Sequence, residues 1–314
     1  MATDSNRLQV HWGGHDMDAW DAAHSSALGS LQQDWSYGSA MLSLGVPVLR
    51  ARVEQDGVPL AQAQFIVRRF GRLGSVALCS RGPIWQQELA ATDKARVYRS
   101  LKQSLPLPGL RLMLVTPEQH AGEPLGLSPM RRVVTGMSTV MLDLTPDMDV
   151  LRANLERRWR HRLVTSEAAG LSVQPVGTKP NQFRWLLEAE MAQRGNKGLD
   201  GLPPAFFERY VLTRSQPANL MLTLRADAGR DRIAAMMFLI HGHSAIYHIG
   251  WTTDKGRDLH AHNLILWKGI EALKARGIRQ LDLGGVNTIR SAGIARFKIS
   301  TGGKVATLAG SYLL

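Results

Sequence analysis

The 314-residue chain is 44% hydrophobic, the usual share for a globular protein, which excludes wholesale disorder and suggests two domains or one large one. Its 38 lysines and arginines against 26 acidic residues leave a formal charge of +12, favouring anionic partners: nucleic acid, phosphorylated metabolites or an acidic membrane surface. A single cysteine, Cys79, excludes an internal disulfide and a multi-cysteine zinc site, and fits a reducing location.

In chain order, residues 8–12 read as a short strand. Residues 16–31 read as a helix with Trp20, Ala23, Ala27 and Leu31 at helical spacing. Residues 48–55 and 60–68 alternate apolar and polar side chains about an Asp56-Gly57 hairpin turn. Residues 75–79 form a third strand closed by Arg81-Gly82-Pro83. Residues 87–105 are helical by period, and 110–115 and 138–144 are strands. The second half begins with a helix over 150–169, ended by Gly170 as its C-cap. Helices over 181–195 and 202–213 lead to a strand meander over 220–225, 233–241 and 244–251. A helix over 260–276, a strand over 280–283, a short helix over 291–298 and a closing strand over 304–313 complete the chain. A meander followed by helix and strand occurs twice, which predicts a duplicated α+β unit. Thr145-Pro146-Asp147 interrupts the pattern, so the expected domains are 1–147 and 148–314. No segment is apolar enough to span a bilayer, and residues 1–7 lack a signal-peptide core, so a cytoplasmic protein is expected.

Arg152, Arg157, Arg158, Arg160 and Arg162 crowd one helix, off the apolar stripe of Leu151, Leu155, Trp159 and Leu163. They make either a solvated basic face or a phosphate-binding surface, since arginine forks match phosphate geometry. His241/His243 and His260/His262 are spaced so that a strand would place each pair on one face, but no carboxylate completes a ligand set; no metal is expected. Asp282-Leu283-Gly284-Gly285 ends a strand, where the glycines permit a tight exit or a close ligand approach; Asp282 is either a base or a loop-orienting carboxylate. Lys298, read by composition alone, is a surface lysine. No Ser-His-Asp or Cys-His arrangement is visible, so no covalent acyl-enzyme is expected.

Five segments in register resemble the FemABX-like aminoacyltransferases and FemAB-like acetyltransferases. They are Leu31-Gln32-Gln33-Asp34-Trp35, Arg81-Gly82-Pro83, the strand and basic helix with Trp159-Arg160, the run from Trp267-Lys268-Gly269-Ile270 through Gly277 to Gly284-Gly285, and Phe297-Lys298. The resemblance implies two tandem domains of the GNAT type, each a mixed sheet flanked by helices, facing across a cleft. It implies transfer of an aminoacyl group from aminoacyl-tRNA to an amine of a peptidoglycan precursor or similar anionic cell-envelope acceptor, without a cofactor, with peripheral contact at the inner membrane surface and no DNA partner. Lys298 would donate its ammonium to the tetrahedral oxyanion or to a substrate phosphate. Substrate-binding residues would be Arg81, Arg160, Trp35, Arg257, Gly284 and Gly285, although Arg81 also suits a structural turn and Trp35 a core. Two features depart from the family pattern: no lysine follows Trp35 in Ser36-Tyr37-Gly38-Ser39-Ala40, and no long charged heptad segment forms an arm.

The alternative is an N-acyltransferase that uses acyl-CoA or an acyl carrier on a small amine. In GNAT acetyltransferases a glycine-rich turn before a helix holds the coenzyme A pyrophosphate on backbone N–H groups. Here Gly256-Arg257-Asp258-Leu259-His260-Ala261-His262 keeps Arg257 but puts histidines where small residues are expected, which argues against that donor. A third reading is a non-catalytic RNA- or anion-binding module on the same fold.

Overall fold

The computed structural model describes residues 8–71, 74–128, 130–195, 201–289 and 291–314, in two compact units. One comprises residues up to Met137 together with Thr307–Leu314, and the other is Ser138–Ala306.

In the first unit, β1 (Leu8–Trp12) leads to α1 (Met17–Ser26), capped by Asp16 on the Ala19 N–H. Next come α2 (Trp35–Ser43), β2 (Val48–Gln55), β3 (Val58–Phe70), β4 (Gly74–Ser80), β5 (Ile84–Trp85), α3 (Ala91–Ser104), β6 (Leu110–Thr116) and β7 (Arg131–Val134). The second unit holds β8 (Ser138–Asp143), α4 (Met148–Ala153), α5 (Arg157–Ala168), β9 (Ser172–Val176), α6 (Pro180–Gly195) and α7 (Pro204–Val211). It continues through β10 (Met221–Ala228), β11 (Asp231–His241), β12 (Ser244–Thr252), α8 (Asp254–Asp258), α9 (Ala261–Ala275), β13 (Gln280–Gly285), α10 (Ala292–Ile299) and β14 (Lys304–Thr307). The last strand, β15 (Ser311–Leu313), belongs to the first unit's sheet.

The two sheets share one plan. The first runs β1-β2-β3-β4-β6-β15-β7, with β5 beside β3, and the second β9-β10-β11-β12-β13-β8-β14. Each opens with a four-stranded antiparallel meander. A parallel neighbour follows, β6 beside β4 and β13 beside β12, reached through α3 and α9 respectively. An antiparallel strand comes next, β15 in one sheet and β8 in the other. The duplication read from the sequence is present as mixed α+β units.

The unit division differs from the expected break at 147. Strand β8 pairs with β13 in register Gln280↔Asp143 to Gly285↔Thr139, so the second unit begins ahead of the Thr145-Pro146-Asp147 interruption. The expected closing strand over 304–313 is two strands. It bends at Gly310, whose φ of +102° suits glycine, and its halves join different sheets. The expected helix over 150–169 is also two elements. Residues 154–156 leave the helix: the Glu156 N–H donates to the Ser300 carbonyl, and the Ser300 hydroxyl donates to the Glu156 carboxylate. These tertiary hydrogen bonds replace a helical turn, yet Leu151, Leu155, Trp159 and Leu163 all stay buried.

In the second unit α9 packs on β10 and β11, and α5 on α9. Its core joins Leu163, Phe238, Ile265, Leu266, Ile270 and Leu281. The first unit's core is built from Val53, Phe65, Val97, Tyr98, Leu101 and Met113. Fully burying each large apolar side chain contributes about 1.5–3 kcal/mol, so these cores set the frame that carries the site. Among the described residues no helix is long and apolar enough to cross a membrane.

Candidate active site

The two sheets differ where the parallel strand joins the meander. In the first, β4 and β6 pair from Gly74↔Leu110 through Ser80↔Thr116. In the second, β12 and β13 pair only at Ser244↔Gln280, Ala245↔Leu281 and Ile246↔Asp282. Beyond Ile246 the strands part. The second half of β12, from Tyr247, and the Gly284-Gly285 end of β13 therefore present unpaired backbone to a common gap.

Lys298, on α10, fills that gap. It is only 9% exposed, which corrects the reading of a surface lysine. Its Nζ donates to the Gly285 carbonyl at 2.9 Å and lies 5.8 Å from the centre of the Tyr247 ring. Burial pushes its pKa down to about 8, and the Asp282 carboxylate acts in the opposite direction. Asp282 is buried and orients the strand end: the Thr139 hydroxyl and the Gly284 N–H, the latter at 2.7 Å, both donate to its Oδ1. Gly284 has φ +78°, which lets β13 turn so that the Gly285 carbonyl faces the ammonium. Of the two roles open to Asp282, the orienting one matches these contacts. Asp282→Asn retains an acceptor for both donors but removes the charge that favours the ammonium. The Lys298 pKa is expected to fall below its wild-type value, measured by ¹³C NMR of the lysine Cε across pH.

Phe297 and Trp159 lock α10 to α5. The indole Nε1 of Trp159 donates to the Phe297 carbonyl at 3.1 Å, and the two rings lie 5.9 Å apart. On one side of this pair is a cavity of about 540 Å³ lined by Arg158, Trp159, Arg162, Gly293, Arg296 and Phe297, among others. On the other is a cavity of about 440 Å³ whose lining includes Arg162, Gln193, Tyr247, Arg257, His262, Asn263 and Phe297. His262 donates Nε2–H to the Trp251 carbonyl at 3.0 Å, which assigns its tautomer. Burial lowers its pKa, so at neutral pH the ring is uncharged and Nδ1 keeps a lone pair able to accept a proton.

The five arginines of the basic segment divide by role. Arg152 forms a two-pronged ion pair with Glu167, and Arg160 donates to the Ala153 and Leu155 carbonyls at the end of α4. Arg157, Arg158 and Arg162 are exposed and have no acidic partner among the described residues, and Arg296 joins them from α10.

Of the residues expected to act together, the structure gathers Lys298, Gly284 and Gly285, and places Arg257 in the smaller cavity, ion-paired with Asp254. Arg160 lies at the helix break, committed to carbonyls. Trp35 and Arg81 belong to the first unit. Arg50 stacks 3.7 Å above the Trp35 ring, and Arg81 is ion-paired with Glu118 through both Nε and Nη2. Sequence reading missed Tyr247, Gln193 and Asn263, and weighed His262 as half of a metal pair; it lies in α9, within the helix expected over 260–276. Among the described residues no group of three or more His, Cys, Asp or Glu is placed to hold a metal ion.

The turn between β12 and α9 is filled by α8. The Gly256 N–H is bound by the Thr253 hydroxyl, and the N–H groups of Arg257, Leu259 and His260 by the carbonyls of Thr253, Lys255 and Arg257. Gly256 is required by packing. A Cβ there would stand 2.3 Å from the Ile233 carbonyl oxygen of β11, so the glycine permits close packing on the sheet.

Residues 150–298 match the family model described as an acetyltransferase (GNAT) domain. No curated protein sequence matches the chain. Among solved structures, FemX matches with a TM-score of 0.80 at 11% identity, covering 96% of each chain. L-PGS from Bacillus licheniformis matches with a TM-score of 0.54 at 12% identity, covering 95% of this chain and 91% of that one. A tandem GNAT protein from the clavulanic acid biosynthesis pathway gives 0.54 at 12% identity, covering 98% of each. Residues 150–298 of the second unit thus match a GNAT acetyltransferase domain, in a two-unit chain whose fold resembles that of FemX.

Proposed function

We propose that the chain transfers an aminoacyl group from aminoacyl-tRNA to a primary amine on an anionic acceptor such as a peptidoglycan precursor. The observation that carries the choice of donor is the turn before α9. Four of its N–H groups are consumed by α8 and its cap, so they do not offer a pyrophosphate the free donors that coenzyme A binding uses. Beside it, Arg158, Arg162 and Arg296, free of acidic partners among the described residues, line the larger cavity and suit a phosphodiester backbone. A FemX-like fold also supports the reading.

In this reading the second unit carries the chemistry, because its sheet opens between β12 and β13 while the first unit's equivalent pair stays closed. The acceptor amine attacks the ester carbonyl and a tetrahedral oxyanion forms. The Lys298 ammonium donates to that oxyanion. The C–O bond to the ribose then breaks, the ribose oxygen takes a proton, and the amine loses one, which His262 Nδ1 on the cavity wall can accept. The new amide keeps the acyl carbon and the ester oxygen leaves as a hydroxyl.

The test is a donor comparison. Labelled aminoacyl-tRNA and labelled acetyl-CoA are each offered with an envelope-precursor fraction, with Lys298→Ala as control. Lysine-dependent transfer from tRNA is expected; transfer from acetyl-CoA alone would overturn the donor assignment. A second expectation concerns salt. Removing one arginine that neutralises a phosphate should reduce the slope of log Kd against log salt by roughly 0.7–0.9. An R158A/R162A/R296A triple variant should therefore flatten it by about two to three, measured by fluorescence anisotropy with tRNA.

A further inference from the structure

The smaller cavity of the second unit contains an unmet hydrogen-bond donor. Asn263, in the first turn of α9, is 5% exposed, and its Nδ2 has no partner. A buried amide N–H without an acceptor is disfavoured, and most such groups in folded proteins are satisfied. Nothing in the packing of α9 requires an amide at this position. Its neighbours Leu264, Ile265 and Leu266 are apolar and buried, and an isosteric leucine would suit the same helix.

Three other polar groups on this wall are already committed. The Thr252 hydroxyl donates to the Ile233 carbonyl, Gln193 gives Nε2 to the Thr252 carbonyl, and His262 gives Nε2 to the Trp251 carbonyl. The charged side chains lining the cavity are Arg162 and Arg257, and no acidic side chain among the described residues lines it. An occupant that brings an ammonium would meet two guanidinium groups. An occupant that brings an oxygen would satisfy Asn263 and lie in a favourable field.

We propose that this cavity receives the side chain of the transferred aminoacyl group, and that the group carries an oxygen acceptor which Asn263 Nδ2 binds. The substrate class is then an aminoacyl group with a hydroxyl, amide or carboxylate side chain, and not a cationic or purely apolar one. This rests on the acyltransferase reading above and names the group it transfers.

The experiment separates the two. The methylamides of L-serine, L-asparagine, L-aspartate, L-alanine and L-lysine are titrated into the ¹⁵N-labelled full chain. The Asn263 side-chain NH₂ resonances, identified by their loss in Asn263→Leu, report contact directly. One or more of the three oxygen-bearing ligands should shift these resonances and bind roughly tenfold more tightly than the alanine and lysine derivatives, and Asn263→Leu should remove the preference. Which ligand responds distinguishes hydroxyl, amide and carboxylate. Asn263→Leu should also raise Tm, because an unpaired donor is exchanged for an apolar group of similar size. Tightest binding by the lysine or alanine derivative would overturn the proposal, as would a preference that survives in Asn263→Leu. If the preference holds but no aminoacyl-tRNA supports transfer, the donor assignment fails and the cavity's selectivity stands.

Discussion

Lys298→Ala lowers kcat by about 10²–10³-fold while donor affinity stays within a few-fold, the loss expected when one oxyanion donor is removed. The expectation rests on position. The ammonium is buried where β12 and β13 part, held by the Gly285 carbonyl, and a single hydrogen bond leaves it further N–H groups to donate. Its charge is what stabilises the oxyanion, so the rate follows the protonated fraction. With a pKa of about 8, kcat falls as pH rises through that value. Unfolding does not account for that fall. The folded lysine gives up its proton at lower pH than the unfolded one, so between about 8 and the ordinary lysine value the unfolded chain binds more protons. This group's contribution to stability therefore rises with pH over that window while the rate declines. Single-turnover rates and Tm measured together from about pH 6.5 to 9.5 separate the two. A rate that climbs through pH 8 would make Lys298 a base and overturn its role as an oxyanion donor. Activity of Lys298→Ala equal to wild type would remove Lys298 from the chemistry altogether.

The duplicated plan was legible because strand alternation and turn residues are local signals. Residues 48–55, 60–68, 233–241 and 244–251 all fall within observed strands. The helix α2 was not legible. Trp35–Ser43 holds three serines and a glycine, weak helix formers, and is fixed instead by the Asp34 cap on the Tyr37 N–H and by burial of Tyr37, Ala40 and Met41. Strand β9 carries Pro175 and pairs on one side only, at the edge of its sheet. The four-residue stripe from Leu151 to Leu163 identified the buried face correctly, although the chain leaves the helix in its middle, because both pieces pack on one core. The site was legible only where neighbours in sequence are neighbours in space, as in Gly284-Gly285. Lys298 entered through the Phe297-Lys298 resemblance; its burial follows from strand divergence, which no local pattern encodes. Tyr247, Gln193 and Asn263 come from three separate elements. Each is a single polar residue whose spacing across the chain carries no signal. Arg81 and Arg160 illustrate the converse: an arginine's charge is evident in sequence, but its commitment to Glu118 or to helix-end carbonyls is not.

Trp159→Ala is the substitution expected to cost most in stability, about 3–5 kcal/mol, the range for truncating a large buried aromatic residue. Trp159 is 2% exposed and belongs to the second unit's core. It also links α5 to α10, through its hydrogen bond to the Phe297 carbonyl and its ring against that of Phe297, the residue next to Lys298. Its removal therefore has two consequences. The core acquires a cavity, and α10 is freed from the side chain that fixes where the ammonium stands. Trp159→Phe distinguishes them. It keeps most of the apolar packing and removes the indole N–H, leaving the Phe297 carbonyl without that donor, at a cost nearer ~1–2 kcal/mol. The folded fraction of Trp159→Phe should stay near wild type at about 25 °C, so any fall in kcat reports the placement of Lys298 and not unfolding. A shift of the Lys298 pKa in the same variant, read by ¹³C NMR, would locate the effect at the gap between β12 and β13. If Trp159→Phe keeps both kcat and the Lys298 pKa, the indole hydrogen bond contributes to stability alone, and α10 is held in place by its other contacts.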